Sequence, residues 1–261
     1  MSGTCSLNVS EVARFKETGY LVIDDFLHPG EVAEYQQAYI DCLEEMRLYG
    51  KFKPLFKGEA EDGTQTAVYQ IRAAHLKDPA FNRLIRELRI LDRVESLIGP
   101  DLQVVLCQGL YKPPRTGGEI FWHQDDYYFR VSKPNAVVSC WIALDDATVD
   151  NGCMWVIPGG HGKIEEHVRV GTQGSGYTGV RMAQVDEAAG VAVQLKAGQC
   201  MLHHGSLPHR TLTNTTDTYR RALSIHYMDA TARPLGEGRQ QEPPENMPVV
   251  RGTAPGFNGA S

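Results

Sequence analysis

From residue 100 onward the chain reads as one short strand after another. Residues 102–112, 119–125, 137–144, 153–157, 191–195, 200–203 and 222–228 are rich in strand-forming apolar residues, and Gly, Pro, Asn and Asp fill the gaps between them. Strands repeated in this way, each closed by a turn signal, predict a barrel or a sandwich.

The first hundred residues differ. Asn8 or Ser10 can cap a short helix through Lys16, which Gly19 stops, and residues 20–23 form a short strand. His28-Pro29-Gly30 opens a long helix, because proline suits a first turn. Val32, Tyr35, Tyr39, Cys42 and Met46 recur at helical spacing on one face of it. Residues 49–65 lack periodicity and read as a long loop, a candidate lid. Residues 68–71 read as a strand. Asp78-Pro79 opens one further helical stretch, with Phe81, Leu84, Ile85, Leu88 and Leu91 on a stripe that ends near Gly99-Pro100. The expectation is one domain over residues 1–261, mainly β with flanking helices: a helical cover (1–100), a β core (101–231), and a Pro-, Gly- and Glu-rich tail (232–261) that wanders over the surface.

Charge and cysteine usage narrow the partners. The net charge of −6 offers no basic surplus for nucleic acid. No apolar run approaches the roughly 20 residues a membrane-spanning helix needs. The first residues lack the basic and apolar regions of a secretory signal. The cysteines are scattered, without a CxxC pair, and four lie in apolar strand-like runs. They predict a reducing, cytoplasmic setting, with a small molecule as partner. The residues assign no oligomeric state.

The chemistry begins at Phe121-Trp122-His123-Gln124-Asp125-Asp126-Tyr127-Tyr128. In an extended chain residues i and i+2 share a face, so His123 and Asp125 would project together and supply two corners of a metal site. A second histidine would complete the two-His, one-carboxylate set that holds non-haem Fe(II) with positions left open. The segment around residues 200–209 offers His203, His204 and His209. Beyond it, residues 219–228 alternate. Arg221, Leu223, Ile225 and Tyr227 form an apolar face; Arg220, Ala222, Ser224 and His226 form a small, polar one suited to a wet cavity. Arginine at the head of that face is a natural carboxylate clamp.

In this order the motifs resemble the phytanoyl-CoA dioxygenase family of Fe(II)/2-oxoglutarate-dependent oxygenases. The resemblance runs from the Phe15-to-Leu27 opening through Lys112-Pro113-Pro114, His123-Gln124-Asp125, Trp141 and the stretch from Asp150 to His161, to His204-Gly205 and Arg220. It implies a double-stranded β-helix, the cupin-like jelly roll. In the family, the distal histidine is followed two residues later by Ser or Thr and eleven residues later by the arginine that binds 2-oxoglutarate. Counting from His209 reaches Thr211 and Arg220; counting from His204 reaches Thr215, which cannot clamp a carboxylate. The resemblance thus implies His123, Asp125 and His209 as iron ligands and catalytic centre. It implies Arg220 and Thr211 on the distal carboxylate of 2-oxoglutarate, with Trp141 and Gln108 lining the cosubstrate site. O2 is the third reactant, and hydroxylation of a small metabolite the expected outcome. Desaturation, epoxidation, epimerisation and cyclisation start from the same oxidising chemistry. Halogenating relatives carry a small residue where Asp125 stands, so Asp125 argues against halogenation.

Other residues carry plainer readings. His203, His204 and His226 are expected as packing or supporting residues, with His204 the main rival of His209. Asp126 is expected at the surface or on the substrate side. Asp145, Asp146 and Asp150 read as turn residues, and Pro158-Gly159-Gly160-His161 as a turn. Tyr127, Tyr128 and Trp155 read as core. Lys112, Arg115 and Arg181 can meet an anionic substrate or simply be solvated. The Gly-rich stretch 171–179 lacks the Lys-Ser/Thr step of a phosphate loop, and residues 162–190 are the second candidate lid. Two other classes share parts of this pattern: a non-catalytic metal-binding barrel and a zinc hydrolase.

Overall fold

The elements follow the chain in this order: α1 (Val9–Thr18), β1 (Tyr20–Ile23), α2 (Pro29–Leu48), β2 (Phe56–Glu59), β3 (Gln65–Arg72), α3 (Pro79–Leu84), α4 (Leu88–Ile98), β4 (Leu102–Lys112), β5 (Ile120–His123), α5 (Asp125–Phe129), β6 (Val137–Ala143), β7 (Met154–Val156), β8 (His167–Gly171), β9 (Thr178–Met182), β10 (Val191–Val193), β11 (Cys200–His204), β12 (His209–Thr211), β13 (Arg220–Asp229) and β14 (Val249–Arg251). The structure is a computed structural model and describes residues 5–54, 56–59, 63–171, 178–233, 235 and 243–256.

Two antiparallel sheets face each other. The larger runs β1-β11-β6-β13-β4-β3-β2, with β14 also on β4, and the smaller runs β10-β7-β12-β5. Period-2 alternation divides the larger sheet's side chains. Leu223, Ile225 and Tyr227 of β13, with Cys140 and Ile142 of β6, join Phe15, Tyr35, Tyr39, Phe81 and Leu84 in the core beneath the helices. Trp141, Ala143, Met201 and Ala222 point the other way and pack on Met154, Val156 and Val193 of the smaller sheet. The alternation read along residues 220–228 is therefore the one observed. Tyr39 of α2 presses so closely on β4 that a Cβ at Gly109 would lie 2.7 Å from its ring. Glycine there lets helix and sheet meet.

The helices start as their sequences dictate. Asn8 accepts from the backbone of Ser10 and Glu11, Glu11 answers on the Asn8 amide, and Gly19 closes α1 at φ 82°. Three expectations need correction, and a fourth gains detail. The helical stretch from residue 79 is two helices, because the chain turns out after Ile85; the Tyr227 hydroxyl donates to the carbonyl of Ile85, 3.1 Å away. The expected loop 49–65 contains β2, which pairs with β3 from Phe56↔Val68 to Glu59↔Gln65. A neighbouring edge, not its own pattern, makes that strand. The expected lid 162–190 carries the β8–β9 hairpin, whose connection lies outside the described residues, as does most of the Gly-rich stretch. The tail does not simply wander: Val249 and Arg251 pair with β4, and Arg251 bonds Asp92 and Glu95 of α4. Residues 234, 236–242 and 257–261 of that tail lie outside the described residues. No helix among the described residues is long and apolar enough to cross a membrane.

Candidate metal centre

β5 and β12 lie side by side in the smaller sheet, with His123 opposite His209. This register places the two imidazoles 4.2 Å apart between ring centroids. The third group arrives differently from the sequence expectation. Strand β5 stops at His123, Gln124 caps a short helix, and Asp125 is that helix's first residue. Asp125 converges on His123 through this strand-to-helix turn, not through strand alternation. Its Oδ1 lies 3.8 Å from His123 Nε2 and 3.7 Å from His209 Nε2. One donor atom from each of the three residues falls within 4.8 Å of the others.

Each donor is prepared by a partner behind it. His123 Nδ1 donates to the Phe121 carbonyl at 2.7 Å, and His209 Nδ1 to the Leu207 carbonyl at 2.9 Å. Both Nε2 lone pairs are left for the centre, as in metal sites whose histidines are oriented from outside. Burial lowers the pKa of both rings, that of His209 to about 3, so they are neutral donors at ordinary pH. Burial alone would raise Asp125. In acid, where His209 and His226 become charged, their attraction and the hydrogen bond from His203 outweigh it and hold the carboxyl well below its usual range.

Asp125 Oδ2 faces away from His123 and His209, over a row of three paired strands. His203 of β11, Ser139 of β6 and His226 of β13 are opposite one another in register. Ser139 Oγ lies 3.2 Å and His203 Nε2 3.3 Å from Oδ2, and Ser139 Oγ is 2.6 Å from His226 Nδ1. Sequence reasoning assigned no role to Ser139, although it sits two residues before Trp141 on the same inward face. Gln70 was also missed; it lies on the inward face of β3 and lines the cavity beside Gln108.

The cosubstrate candidates cluster nearby. Arg220 is 1% exposed, yet its Nε and Nη1 have no partner. Its guanidinium lies 5.7 Å from the Trp141 ring, and burial pulls its pKa down to about 10, so it stays charged near neutral pH. Thr211 Oγ1 is buried without a partner as well. A buried fork and a buried hydroxyl, both unsatisfied, fit a ligand carboxylate. Two neutral imidazoles and one carboxylate fit Fe(II). Trp141, Thr211 and Gln108 line the cavity that also holds His123, Asp125 and His209.

Several residues stand elsewhere. His204 points to the helix side, 6.4 Å from Phe15 and 5.0 Å from His161 between ring centroids, which removes both from the centre. Asp126 is neither a surface nor a substrate-side residue: it is buried, accepts from Ser206 Oγ at 2.5 Å, and fills the space where a Gly205 Cβ would be. Lys112 is buried and donates to the carbonyls of Gly118 and Leu212, so it meets no substrate. Arg115 pairs at the surface with Asp217, and Arg181 is exposed on β9. Asp145 pairs with Arg221 and Asp146 with Lys196. Tyr127 stacks on His167 and Trp155 lies under Arg210, whereas Tyr128 lines the cavity, edge-on to His123.

A family model for phytanoyl-CoA dioxygenase (PhyH) matches residues 15–222. The chain belongs to this family. The mouse phytanoyl-CoA dioxygenase domain-containing protein 1 is 25% identical over 284 aligned positions, which cover 93% of this chain and 97% of the relative. Among solved structures, the non-haem monooxygenase ThoJ superposes with a TM-score of 0.72 at 28% identity, over 94% of this chain and 85% of its own. The α-ketoglutarate-dependent carbocyclase SnoK from nogalamycin biosynthesis gives 0.71 at 25%, over 94% and 96%. The epimerase SnoN, solved with Fe3+, α-ketoglutarate and a nogalamycin compound, gives 0.70 at 26%, over 93% and 98%. The fold is thus the cupin-like jelly roll, and this PhyH member is a 2-oxoglutarate-dependent non-haem iron oxygenase that uses O2.

The buried histidines predict a pH dependence of the metal-free protein. Burial lowers His204 and His226 to about 4 and His209 to about 3. Unfolded, each titrates near 6.5. The unfolded chain therefore binds more protons below that value, and stability falls as pH drops from about 6.5 toward 4. The expected loss at pH 5 is about 1–2 kcal/mol per histidine. Thermal melts of metal-free protein at pH 7 and pH 5 check it; an unchanged melting temperature would contradict neutral burial.

Proposed function

We propose that this oxygenase hydroxylates an unactivated C–H bond of a small-molecule metabolite and releases succinate and CO2. His123, Asp125 and His209 would hold Fe(II), and Arg220 with Thr211 would hold the distal carboxylate of 2-oxoglutarate. The observation that carries this reading is Arg220: a buried, charged guanidinium with two unsatisfied nitrogens beside Trp141, whose ring lines the cavity that contains three convergent metal donors.

When bound, the metal and cosubstrate supply the oxidising chemistry. The chain's own residues orient and exclude. The Phe121 and Leu207 carbonyls keep each ligating imidazole in one tautomer. The row beneath Asp125 Oδ2 leaves Oδ1 as the oxygen facing the centre. Val68, Leu106, Leu110, Ile120, Phe121 and Val180 make the cavity wall largely apolar and keep water from the reacting bond. The carboxylate at Asp125 leaves no gap for a halide, which speaks against halogenation.

A second reading draws on the neighbours. SnoK is a carbocyclase and SnoN an epimerase, so the same site can serve ring closure or epimerisation. The free cysteines suit a reducing, cytoplasmic setting. Anaerobic addition of Fe(II) and 2-oxoglutarate should give a weak visible charge-transfer band, and a metabolite screen should find compounds that stimulate succinate release. Analysis of the product by mass then separates the readings: a gain of one oxygen for hydroxylation, a loss of two hydrogens for cyclisation, no change for epimerisation. Activity that needs neither O2 nor 2-oxoglutarate would sink all of them and favour a zinc hydrolase.

A further inference from the structure

The polar residues along the cavity form one connected line. Gln70 Nε2 donates to Gln108 Oε1; Gln108 Nε2 is 3.0 Å from His226 Nε2; His226 Nδ1 is 2.6 Å from Ser139 Oγ; Ser139 Oγ is 3.2 Å from Asp125 Oδ2. The line crosses four strands, β3, β4, β13 and β6, to reach α5. Its direction is fixed at the far end. A carboxylate only accepts, so Ser139 donates to Asp125 and must accept from His226 Nδ1–H. His226 Nε2 then accepts from the Gln108 amide, and Gln108 Oε1 accepts from Gln70. Flipping either amide would set two acceptors or two donors face to face.

This polarity leaves one group over at the open end. Gln70 is 8% exposed and lines the cavity, and its Oε1 is buried with no partner. Buried acceptors in folded proteins are normally satisfied, so an unsatisfied one in a cavity wall marks a place for a ligand donor. Charge narrows the ligand further. Among the described residues, no lysine or arginine lines the cavity, and its carboxylates are Asp125 and Glu119. An anionic group would meet no cation there; Arg220 lies behind Trp141, off the cavity wall, and the proposed function gives it to the cosubstrate.

We propose that Gln70 is the specificity residue of this site: it accepts a hydrogen bond from a hydroxyl or N–H of a neutral, largely apolar substrate, and Gln108, His226 and Ser139 tie that contact to the metal carboxylate Asp125. The proposal deepens the reading of the site as a 2-oxoglutarate oxygenase and rests on it. A site built around an acceptor rejects the analogue without a donor more strongly than a greasy pocket rejects a missing methylene.

The test uses two matched sets of probes: cyclohexylmethanol, its methyl ether and cyclohexanecarboxylate, and naphthalene-2-methanol, its methyl ether and 2-naphthoate. Each is titrated calorimetrically into the full chain, metal-free and after anaerobic loading with Fe(II) and 2-oxoglutarate. In the wild type at least one alcohol should bind about 10-fold or more tightly than its ether, with the carboxylate weakest. Gln70→Leu should close that gap by weakening the alcohol alone, and Gln70→Asn, which shortens the reach, should narrow it. In the loaded protein the alcohol should shift the visible band, and Gln108→Leu, which cuts the line, should remove the shift while its own Fe(II)/2-oxoglutarate band, recorded before the alcohol is added, still forms and the alcohol still binds. The proposal is overturned if ether and alcohol bind equally, if a carboxylate binds best, if no probe binds, or if Gln70→Leu leaves the gap intact. Failure of the wild type to form the Fe(II)/2-oxoglutarate band is a different result: it sinks the oxygenase assignment of the site, while the alcohol-to-ether gap of the metal-free protein still decides Gln70.

Discussion

Arg220→Met should weaken 2-oxoglutarate binding by about two to four orders of magnitude and leave the empty protein at least as stable as the wild type. Two guanidinium nitrogens, Nε and Nη1, are buried without partners. Charge-assisted hydrogen bonds contribute about 1.5–3 kcal/mol each, so losing two costs about 3–6 kcal/mol, or roughly 100- to 10,000-fold in affinity. Without ligand the balance reverses. A buried charge with no counter-ion destabilises the fold, and an apolar side chain of similar length removes that burden. Binding loss and stability should therefore move in opposite directions, a pattern that a purely structural arginine would not give. Arg220→Lys should fall between, because an ammonium retains the charge but not the planar fork. Anaerobic titration of the visible band against 2-oxoglutarate reads the affinity, and melts of the metal-free proteins read the stability. Unchanged 2-oxoglutarate affinity in Arg220→Met would remove this residue from the cosubstrate site.

What the sequence made legible follows from which signals are local. Inward and outward faces of a strand are local, so the alternation from Arg220 to Met228 separated cavity from core. The same rule, applied two residues before Trp141, reaches Ser139. Asp125 was found for the wrong reason: the aromatic run through Trp122 suggested an unbroken strand, whereas Gln124, held by the carbonyls of Lys163 and Ser206, turns the chain into a helix. Both geometries present His123 and Asp125 to one point, so the pair survived the error. Asp126 did not survive it, because in the helix it turns inward against Gly205 and Ser206. The family resemblance implied His209 rather than His204, and the fold agrees with it: neighbours in β11 alternate, so His203 faces Asp125 while His204 faces Phe15. Gln70 was out of reach. Its partner Gln108 is 38 residues away, and only the β3–β4 pairing brings them together.

The two histidines also carry the second large effect: His209→Ala should lower Fe(II) affinity by more than about 100-fold, whereas His204→Ala should leave it within a few-fold of the wild type. Loss of an outer partner of a metal ligand costs roughly 10- to 100-fold, and loss of a ligand must exceed that. His209 presents Nε2 to the centre, with Nδ1 tied to the Leu207 carbonyl, so no other atom of that side chain can substitute. His204 instead accepts from the Ser206 amide through Nδ1 and meets Asn135 through Nε2, on the far face of the sheet. Its loss should lower the melting temperature by loosening the turn that leads to β12, without touching the donor set. Ser139→Ala supplies the intermediate case, because it frees Asp125 Oδ2 yet leaves all three donors in place, and a loss of roughly 10- to 100-fold is expected. Calorimetric titration of Fe(II) into the metal-free proteins under anaerobic conditions gives all three affinities. If His204→Ala abolishes binding and His209→Ala does not, the iron sits on a different set of residues. If Ser139→Ala matches His209→Ala, the orientation of Asp125 contributes as much to holding the metal as a direct bond does.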